Sequence, residues 1–238
     1  MQKCKVEVCF TPALYDGFRN DSAIVVIADI LRATPAICTA FMNGVKRIIP
    51  VATLKEAMDY KNKGYLVAAE RDGIVRDFAD FGNSPFNFTP DRVKDKEIVY
   101  STTNGTNTIM MAAHSYKVLI GAYLNHQALV DYILKEQHDL LILCAGWKQK
   151  FNLEDTLFAG ALAEAVLQND RFYTICDSTY ASIDLWNEAN KNMTQYLEKV
   201  AHRHRLKKNG LDDVIEYCHT FNLTDKIPVL QSFYLVSL

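Results

Sequence analysis

The stretch AIVVIADI (residues 23–30) decides the fold class of this chain. It is nearly all apolar and rich in β-branched residues, which is typical of a strand covered on both faces of a parallel sheet. Asp29 lies at its carboxyl end, and Arg32 follows. Thr34 and Pro35 then indicate a helix start, because threonine can cap free backbone amides and proline suits the first helical position. The stretch predicts a buried strand that leads directly into a helix, with two charged residues at the junction.

The same alternation of strand and helix signals continues along the chain. Residues 3–10 alternate between polar and apolar side chains, as in a strand near the edge of a sheet, and Thr53 with Glu56 forms a capping box before a helix. Further strands are predicted over residues 47–51, 65–69, 97–101, 117–120, 139–144 and 228–236, further helices over about residues 107–114, 126–137 and 153–167, and a mainly helical segment over about residues 178–220. This alternation predicts an α/β fold with a largely parallel sheet covered on both sides, in one domain spanning residues 1–238.

Residues 70–90 interrupt the alternation with a long loop rich in Asp, Gly, Asn and Pro. Loops of this length in a compact domain are usually lids or binding loops. The four phenylalanines of this loop, Phe78, Phe81, Phe86 and Phe88, look exposed in the sequence. We therefore expect a lid over a site or a contact between subunits.

Composition and charge exclude several classes of function. The chain has 238 residues, of which 49% are hydrophobic and 23% charged, as is ordinary for a globular protein. A net charge of −2 provides no electrostatic footprint for nucleic acid or for an anionic membrane surface. The 6 cysteines include no CxxC pair, and no apolar run approaches the roughly 20 residues that cross a bilayer. We expect a cytoplasmic protein with reduced thiols, without nucleic-acid or membrane partners, in which any anionic ligand is bound by a local arrangement of residues.

Polar residues follow four of the predicted strands at the points where the strands end. In open parallel sheets, ligands bind beyond the carboxyl ends of the strands, where loops and helix amino termini converge. We therefore expect the four groups to lie at one rim of the sheet. They comprise Asp29 and Arg32; Glu70, Arg71 and Asp72; Ser101, Thr102, Thr103, Asn104, Gly105 and Thr106; and Cys144, Ala145 and Gly146, which lead to Glu154 and Asp155.

The chemistry of these groups is complementary. The carboxylates supply the hard oxygen ligands that Mg²⁺ prefers. The arginines supply planar forks that match phosphate, carboxylate or sulfonate oxygens. The segment STTNGT (residues 101–106) is dense in hydroxyl donors and precedes a helix, as in loops that bind phosphate. Together the groups indicate a metal-assisted phosphoester site.

Each group also has a purely structural interpretation. An aspartate such as Asp29 after a buried strand is often a turn or cap residue, and acidic residues such as Glu154 and Asp155 stabilise a helix amino terminus without any ligand. The segment around Gly105 is compatible with a simple turn, and Cys144 with a small buried hydrophobic residue. The functional interpretation therefore depends on whether the tertiary structure brings the groups together.

Four motifs occur along the chain: DILRAT (residues 29–34), FGNSP (81–85), STTNGT (101–106), and CAG followed by LEDTLFAG (144–160). In their order and spacing, over most of the chain, they resemble the 2-phosphosulfolactate phosphatase family. The resemblance implies a three-layer α/β/α fold with a largely parallel, mixed central sheet. It also implies an Mg²⁺-dependent phosphatase that hydrolyses 2-phospho-3-sulfolactate to 3-sulfolactate and phosphate, a step of coenzyme M biosynthesis in methanogens.

On this basis we assign hypothetical roles to the residues of the rim. Mg²⁺ is held by Asp29 and by Glu154 or Asp155, with Glu70 as a further candidate ligand. One of these catalytic carboxylates serves as the general base. The anionic substrate is bound by the following residues: Arg32, Arg71, Asn83, Ser84, Ser101, Thr102, Thr103, Asn104 and Gly105.

Three positions depart from the family pattern. Asp72 stands where the family commonly has glycine, and Gln149 and Lys150 stand where it often has glycine and arginine. These differences concern the substrate more than the phosphatase chemistry. The alternatives are a phosphatase of a different small phosphoester and a non-catalytic anion-binding protein. The sequence leaves open a homo-oligomer such as a dimer.

Two covalent mechanisms fit the sequence less well. An aspartyl nucleophile, as in haloacid-dehalogenase-like phosphatases, requires a second aspartate two residues later, where this chain has Leu31. A cysteine nucleophile, as in protein tyrosine phosphatases, requires an arginine six residues after Cys144. Lys150 occupies that position and offers a point charge in place of a planar fork.

Overall fold

The computed structural model of the protein describes residues 3–208 and 210–238. Its strands are β1 (Cys4–Cys9), β2 (Ile24–Ala28), β3 (Arg47–Pro50), β4 (Leu66–Arg71), β5 (Ile74–Val75), β6 (Glu97–Ser101), β7 (Lys117–Gly121), β8 (Leu140–Cys144), β9 (Phe172–Tyr173), β10 (Pro228–Gln231) and β11 (Tyr234–Ser237). Its helices are α1 (Ala33–Met42), α2 (Leu54–Asn62), α3 (Pro90–Val93), α4 (Gly105–Met111), α5 (His126–Glu136), α6 (Leu153–Leu167), α7 (Asp177–Asn190), α8 (Met193–Leu197), α9 (Ala201–Lys208) and α10 (Ile215–Cys218). None of the helices in these two ranges has the length and apolar character needed to cross a membrane.

The strands of the described residues form one mixed sheet in the order β5-β4-β6-β3-β11-β10-β7-β2-β8-β1-β9. β2 lies between two parallel neighbours, so that Val26 pairs with Leu119 of β7 and with Ile142 of β8. Every residue of β2 is buried, and helices cover both sides of the sheet. The predicted α/β class is confirmed, as is the three-layer α/β/α arrangement that the family resemblance implies.

The junction after β2 differs in detail from the prediction. The helix α1 begins at Ala33, one residue before Thr34, and no side chain caps it. The hydroxyl of Thr34 instead accepts a hydrogen bond from the backbone N–H of Asp29 at 3.1 Å. The prediction of Thr34 as a helix cap is therefore wrong, because its oxygen holds the end of the preceding strand.

The carboxyl-terminal segment, predicted as one strand over residues 228–236, forms the hairpin of β10 and β11. Ser232 in its turn has a positive φ of 57°. β10 pairs antiparallel with β7, and β11 pairs antiparallel with β3. The single-strand prediction is wrong because the chain reverses here to join two parallel parts of the sheet.

The long loop after β4 is more ordered than its sequence indicates, since it contains β5, a 3₁₀ turn (Pro85–Asn87) and α3. Phe81 and Phe88 are buried and stack with their ring centroids 5.5 Å apart. Phe88 also packs against Tyr100 of β6. The expectation of exposed phenylalanines holds for Phe86 and is wrong for Phe81 and Phe88, which fill the core beneath the loop.

The predicted helical segment begins with α7 and continues through α8, α9 and α10. Leu206 of α9 and Val214 belong to a small apolar cluster that also contains Leu31, just after β2, and Leu157 of α6. This cluster is distinct from the main core around β2. Packing within the small cluster places α9 beside the edge of the sheet where β2 ends.

The helices α6 and α7 pack closely at Gly160. A Cβ atom at this position would lie 2.1 Å from the backbone carbonyl oxygen of Ser182 and 2.8 Å from the Cβ of Trp186. We expect Gly160→Ala to lower the free energy of unfolding by about 2–3 kcal/mol, as overpacking of a core does. In a domain of this size the corresponding fall in Tm is roughly 5–10 °C, measured by circular dichroism.

Gly17→Ala is the matched control for this prediction, because a Cβ atom at Gly17 would meet nothing within 4 Å. Its Tm is expected to stay within about 2 °C of the unmodified protein. If Gly160→Ala melted together with the control, the close packing of α6 on α7 would be contradicted.

Candidate active site

A small cavity lies at the carboxyl ends of β2, β4 and β6, where the sequence predicts that polar groups meet. Its volume of about 20 Å³ is room for about one water molecule. The predicted site residues that line it are Asp29, Arg32, Glu70, Asn83, Thr103 and Asn104, and the other lining residues are Leu31, Gly73, Trp147, His202 and Leu206. The fold thus brings together residues from three of the four predicted groups.

Asp29 is a buried carboxylate at the end of β2. Burial raises the pKa of Asp29 to about 7; His202 lowers it, whereas the charges of Glu70 and Glu154 raise it further. A Cβ atom on Gly105 would lie 2.9 Å from Oδ2 of Asp29, so the glycine allows α4 to approach this carboxylate. In these surroundings the approach of a cation would stabilise the ionised form of Asp29.

Glu70 connects two loops of the rim. Its Oε1 accepts hydrogen bonds from the backbone N–H and the hydroxyl of Thr103, at 2.9 and 3.2 Å. Its Oε2 accepts a hydrogen bond from the backbone N–H of Gly73 at 2.7 Å. Both oxygens are therefore engaged in holding the turn after β4 against the loop after β6.

Arg32 is a buried cation without a carboxylate partner. Its Nη2 donates to Oδ1 of Asn83 at 2.9 Å, and within the described residues no Asp or Glu oxygen lies within 4 Å of its guanidinium. Burial lowers the pKa of Arg32. The peptide bond between Leu31 and Arg32 is cis. Because a buried charge is costly unless it is paired, the guanidinium is suited to receive an oxyanion.

Asp155 acts as an anchor for the loops around the site. It accepts hydrogen bonds from the backbone N–H groups of Ile30 and Gly146, at 2.8 and 3.1 Å, and from Nδ2 of Asn152 at 2.8 Å. Burial and the neighbouring carboxylates raise the pKa of Asp155 well above its usual value. Asp155 does not line the cavity, and its bonds tie the segments after β2 and β8 to the start of α6.

Glu154 lies beside the cavity wall and is paired with a residue of α9. Its Oε1 is 2.8 Å from Nδ1 of His202, and it accepts a hydrogen bond from Nδ2 of Asn152 at 3.2 Å. The ring of His202 packs against Trp147, with centroids 5.4 Å apart. Sequence analysis missed His202 as a site residue, whereas Trp147 was expected to add bulk beside the site. The relevant signal in the sequence is the basic run at residues 203–208, directly after His202. It is typical of a helix but does not indicate where that helix packs.

Arg71 and Ser101, predicted as substrate ligands, do not line the cavity. Arg71 donates to the backbone carbonyls of Glu70 and Ala52, at 2.6 and 3.2 Å, and to Oγ of Ser101 at 3.0 Å. These bonds brace β4 against β6. Direct contact of either residue with a substrate stays a prediction.

Thr102, Gly105 and Ser84 also lie outside the cavity lining. The backbone N–H of Thr106 donates to the hydroxyl of Thr102 at 3.2 Å, and the backbone N–H of Thr102 donates to the hydroxyl of Thr106 at 3.3 Å. This exchange closes the first turn of α4. The carbonyl of Ser84 accepts a hydrogen bond from the backbone N–H of Asn87. These geometries support the loops, and the predicted substrate contacts stay predictions.

Cys144, the nucleophile of the alternative cysteine mechanism, lies at the buried end of β8. Its side chain is inaccessible to solvent. Burial raises the pKa of the Cys144 thiol well above its usual value. Because the thiolate is the nucleophilic form, this position suits the structural interpretation of Cys144.

The sequence profile of the 2-phosphosulpholactate phosphatase family matches residues 9–232. The chain belongs to this family of phosphoric monoester hydrolases. A relative from Clostridium novyi (strain NT) is 35% identical over 207 residues, which cover 86% of this chain and 87% of the relative. Relatives from Caldanaerobacter subterraneus subsp. tengcongensis and Carboxydothermus hydrogenoformans are each 35% identical, over 212 residues (87% and 88% of the two chains) and 227 residues (94% and 92%). All three are named probable 2-phosphosulfolactate phosphatase.

Two acidic residues near the cavity are candidate ligands for an Mg²⁺ ion that would take most of its ligands from water and phosphate. In the described residues, no three His, Cys, Asp or Glu side chains are grouped to hold a metal ion by themselves. Mg²⁺ commonly needs only one or two carboxylates. Asp29 lines the cavity and can supply one of them. Glu154 lies outside that lining and its Oε1 is engaged by His202 and Asn152, so Oε2 is its candidate ligand atom. The charge of Glu154 raises the pKa of Asp29, a repulsion that a cation would relieve. Asp155 already accepts three hydrogen bonds.

The positions that depart from the family pattern lie outside the lining of the cavity, although Asp72 adjoins Gly73, which lines it. Asp72 and Gln149 have positive φ angles of 55° and 64°, which explains why glycine suits both positions. Nζ of Lys148 forms an ion pair with Oδ1 of Asp72 at 2.9 Å, and the backbone N–H of Lys148 donates to Oδ1 of Asn104 at 3.2 Å. These contacts join the turn after β4 to the loop after β8.

Proposed function

We propose that this protein hydrolyses 2-phospho-3-sulfolactate to 3-sulfolactate and phosphate in an Mg²⁺-dependent reaction. The observation that carries the proposal is the buried guanidinium of Arg32, which lines the same cavity as the buried carboxylate of Asp29. An unpaired cation beside an acid suits a phosphoryl group that must be bound and attacked by water. Relatives named for this substrate, at 35% identity, support the choice of substrate.

Asp29 and Glu154 are the residues that we propose as Mg²⁺ ligands. When bound, the ion would neutralise negative charge on the phosphate oxygens and would lower the pKa of an attacking water molecule. We propose supporting roles for Glu70 and Asp155, because their oxygens already accept hydrogen bonds from the loops of the rim. Through these bonds they hold Thr103 and the end of β2 in place.

Arg32 binds the phosphoryl group and stabilises the negative charge that develops on it. Its planar fork matches phosphate oxygens, and Asn83 fixes its orientation through the 2.9 Å hydrogen bond to Nη2. A carboxylate of the site accepts the proton of the attacking water. The bond between phosphorus and the ester oxygen breaks as the water oxygen bonds to phosphorus, and the ester oxygen takes up a proton and leaves as the hydroxyl of the hydroxyacid.

We propose that the cavity enlarges when a substrate binds. Its volume of about 20 Å³ is room for about one water molecule, and a phosphate group with five heavy atoms is larger. The wall that contains His202 and Leu206 belongs to α9, which packs through the small cluster and not through the main core. Outward movement of α9 is therefore the proposed route of entry.

A second candidate is a phosphatase that acts on a different small phosphoester, and the ion pair of Asp72 with Lys148 favours it. The two residues of this pair adjoin Gly73 and Trp147, which line the cavity, and the family commonly has glycine at position 72. We propose that the pair contacts the part of the substrate remote from the phosphate. In either case we propose a cytoplasmic enzyme. The first candidate corresponds to the reaction that the family resemblance places in coenzyme M biosynthesis.

Phosphate release from a panel of phosphorylated hydroxyacids tests the proposal. The panel contains 2-phospho-3-sulfolactate, 2-phospholactate and 2-phosphoglycerate, each with Mg²⁺ and with EDTA. We expect Mg²⁺-dependent release that is fastest with 2-phospho-3-sulfolactate, is lost with EDTA and returns when Mg²⁺ is restored. Fastest release from another compound would favour the second candidate. No release from any compound, by protein with a normal thermal melt, would contradict an enzymatic function and favour an anion-binding protein.

A further inference from the structure

A second cavity lies on the other side of the wall that bounds the candidate active site. Its volume is about 340 Å³, and it shares Trp147 and His202 with the smaller cavity. It is formed between the loop after β8 and the start of α9, with Lys150 and Asn152 on one side and Arg205 on the other. Unlike the first cavity, it has room for a small organic molecule.

The charge of this cavity is predominantly positive. Lys150, Lys199 and Arg205 line it, and within the described residues none of them lies within 4 Å of a carboxylate oxygen. The acidic side chain of the lining is Glu154, which already contacts His202 at 2.8 Å. Cations that line a cavity without carboxylate partners favour an anionic ligand.

The guanidinium of Arg205 is held in position by an aromatic ring. Its carbon Cζ lies 4.3 Å from the centroid of Trp147. Its Nε is buried and has no hydrogen-bond partner in the described residues. Arg203, on the same helix, contrasts with it because Arg203 forms an ion pair with Glu198 at 2.6 Å. Arg205 therefore has a fixed orientation and an unsatisfied donor.

Asn152 also lines this cavity and has an unsatisfied acceptor. The residue is 9% exposed, and its Nδ2 donates to Glu154 and to Asp155. These two bonds fix the orientation of the amide, and Oδ1 is buried without a hydrogen-bond partner in the described residues. A buried acceptor requires a donor, which a carboxylate or sulfonate alone does not provide.

We propose that this second cavity binds a small hydroxyacid anion. Its carboxylate or sulfonate lies against Arg205, Lys150 and Lys199, and its free hydroxyl donates to Oδ1 of Asn152. The choice of 3-sulfolactate as the natural occupant rests on the proposed function, because this product carries a free hydroxyl that is esterified in the substrate. The cavity is thus a product site, and its occupant contacts the active site through the shared side chains of Trp147 and His202.

Fluorescence of Trp147 measures binding without requiring turnover. The chain contains 2 tryptophans, and Trp147→Phe identifies the signal that comes from Trp186. Wild type is titrated with 3-sulfolactate, with 3-sulfopropionate, which lacks the hydroxyl, and with inorganic phosphate. We expect 3-sulfolactate to bind about 3–10-fold more tightly than 3-sulfopropionate, the effect of one neutral hydrogen bond.

Arg205→Gln removes the charge that faces the ligand. We expect it to raise the Kd for 3-sulfolactate by at least about 10-fold, the effect of losing a charge-assisted hydrogen bond. Lys207→Gln is the matched control, because Lys207 lies on the same helix, is exposed and does not line the cavity. Its Kd is expected to stay within about twofold of wild type. If Arg205→Gln fails to fold, Lys199→Gln replaces it, with an expected increase in Kd of about threefold.

If folded Arg205→Gln protein binds 3-sulfolactate with an unchanged Kd, the proposed second binding site is overturned. Equal affinity for 3-sulfolactate and 3-sulfopropionate, or equally tight Arg205-dependent binding of inorganic phosphate, would overturn the hydroxyacid assignment. The second binding site and the proposed function are tested separately. If the protein binds 3-sulfolactate in an Arg205-dependent way but releases no phosphate, the binding site is supported and the proposed phosphatase function is contradicted. Conversely, if the protein releases phosphate but Arg205→Gln leaves the Kd for 3-sulfolactate unchanged, only the second binding site is contradicted.

Discussion

Replacing Asp29 with asparagine is expected to lower kcat by about 10²- to 10³-fold, the usual cost of removing one group that stabilises developing charge. The reason is that Asp29 is a proposed ligand of the Mg²⁺ that would neutralise the phosphate oxygens. Asparagine keeps the shape of the side chain and removes its charge. The backbone N–H of Asp29 still donates to Thr34, so the end of β2 is expected to stay in place. Because burial raises the pKa of Asp29, the neutral replacement is expected to have an equal or higher Tm. Phosphate release in Mg²⁺ and thermal melting measure the two effects.

Asp59→Asn is the control for this substitution, because Asp59 is exposed on α2. Its kcat is expected to remain within about twofold of the unmodified enzyme. A folded Asp29→Asn protein with full activity would exclude Asp29 from the reaction. A large fall in Tm would instead show that Asp29 acts mainly as a structural residue.

Replacing Arg32 with methionine is expected to lower kcat/KM by about 100-fold or more. Each charge-assisted hydrogen bond contributes about 1.5–3 kcal/mol, and every 1.4 kcal/mol is about tenfold, so loss of two bonds to phosphate oxygens accounts for this effect. Arg32→Lys keeps the positive charge but lacks the planar fork of arginine. Its kcat/KM is expected to lie between those of the unmodified protein and Arg32→Met. Steady-state phosphate release over a range of substrate concentrations measures the change.

The stability of Arg32→Met separates a binding role from a structural one. Arg32 is buried with one hydrogen bond and no carboxylate partner in the described residues, so its charge is costly in the free protein. Without substrate, the methionine variant is expected to melt at the same temperature as wild type or above it. Arg19→Met is the control, since Arg19 is exposed and paired with Asp21. Lower stability of Arg32→Met combined with unchanged kcat/KM would assign Arg32 to the fold alone.

Many of the elements near the site could be predicted from short stretches of sequence. The buried strand β2 follows from its run of apolar β-branched residues, and the capping box of Thr53 with Glu56 is present as predicted. The strand β6 and the helix α6 have the predicted bounds. Each of these features depends on residues that are close together in the chain, which is why local patterns sufficed.

The sequence predicted which edge of the sheet carries the site, but not which residues line it. The rule that ligands bind beyond the carboxyl ends of parallel strands placed Asp29, Arg32 and Glu70 together, and the structure confirms that they line one cavity. The rule could not separate side chains that face the cavity from side chains that support it. Arg71 also follows a predicted strand and was predicted to bind the substrate. In the structure its N–H groups instead donate to two backbone carbonyls and to the hydroxyl of Ser101.

The sequence by itself determined the α/β class, the central buried strand and the rim at which the polar groups collect, because hydrophobic periodicity and capping act over a few residues. Only the tertiary structure decided which groups meet. Asp155 holds Ile30 from 125 residues away, and His202 reaches Glu154 across 48 residues. The hairpin of β10 and β11 likewise pairs with β3 and β7, which lie far earlier in the chain. Such partners are selected by the packing of the whole chain, and no local pattern encodes them.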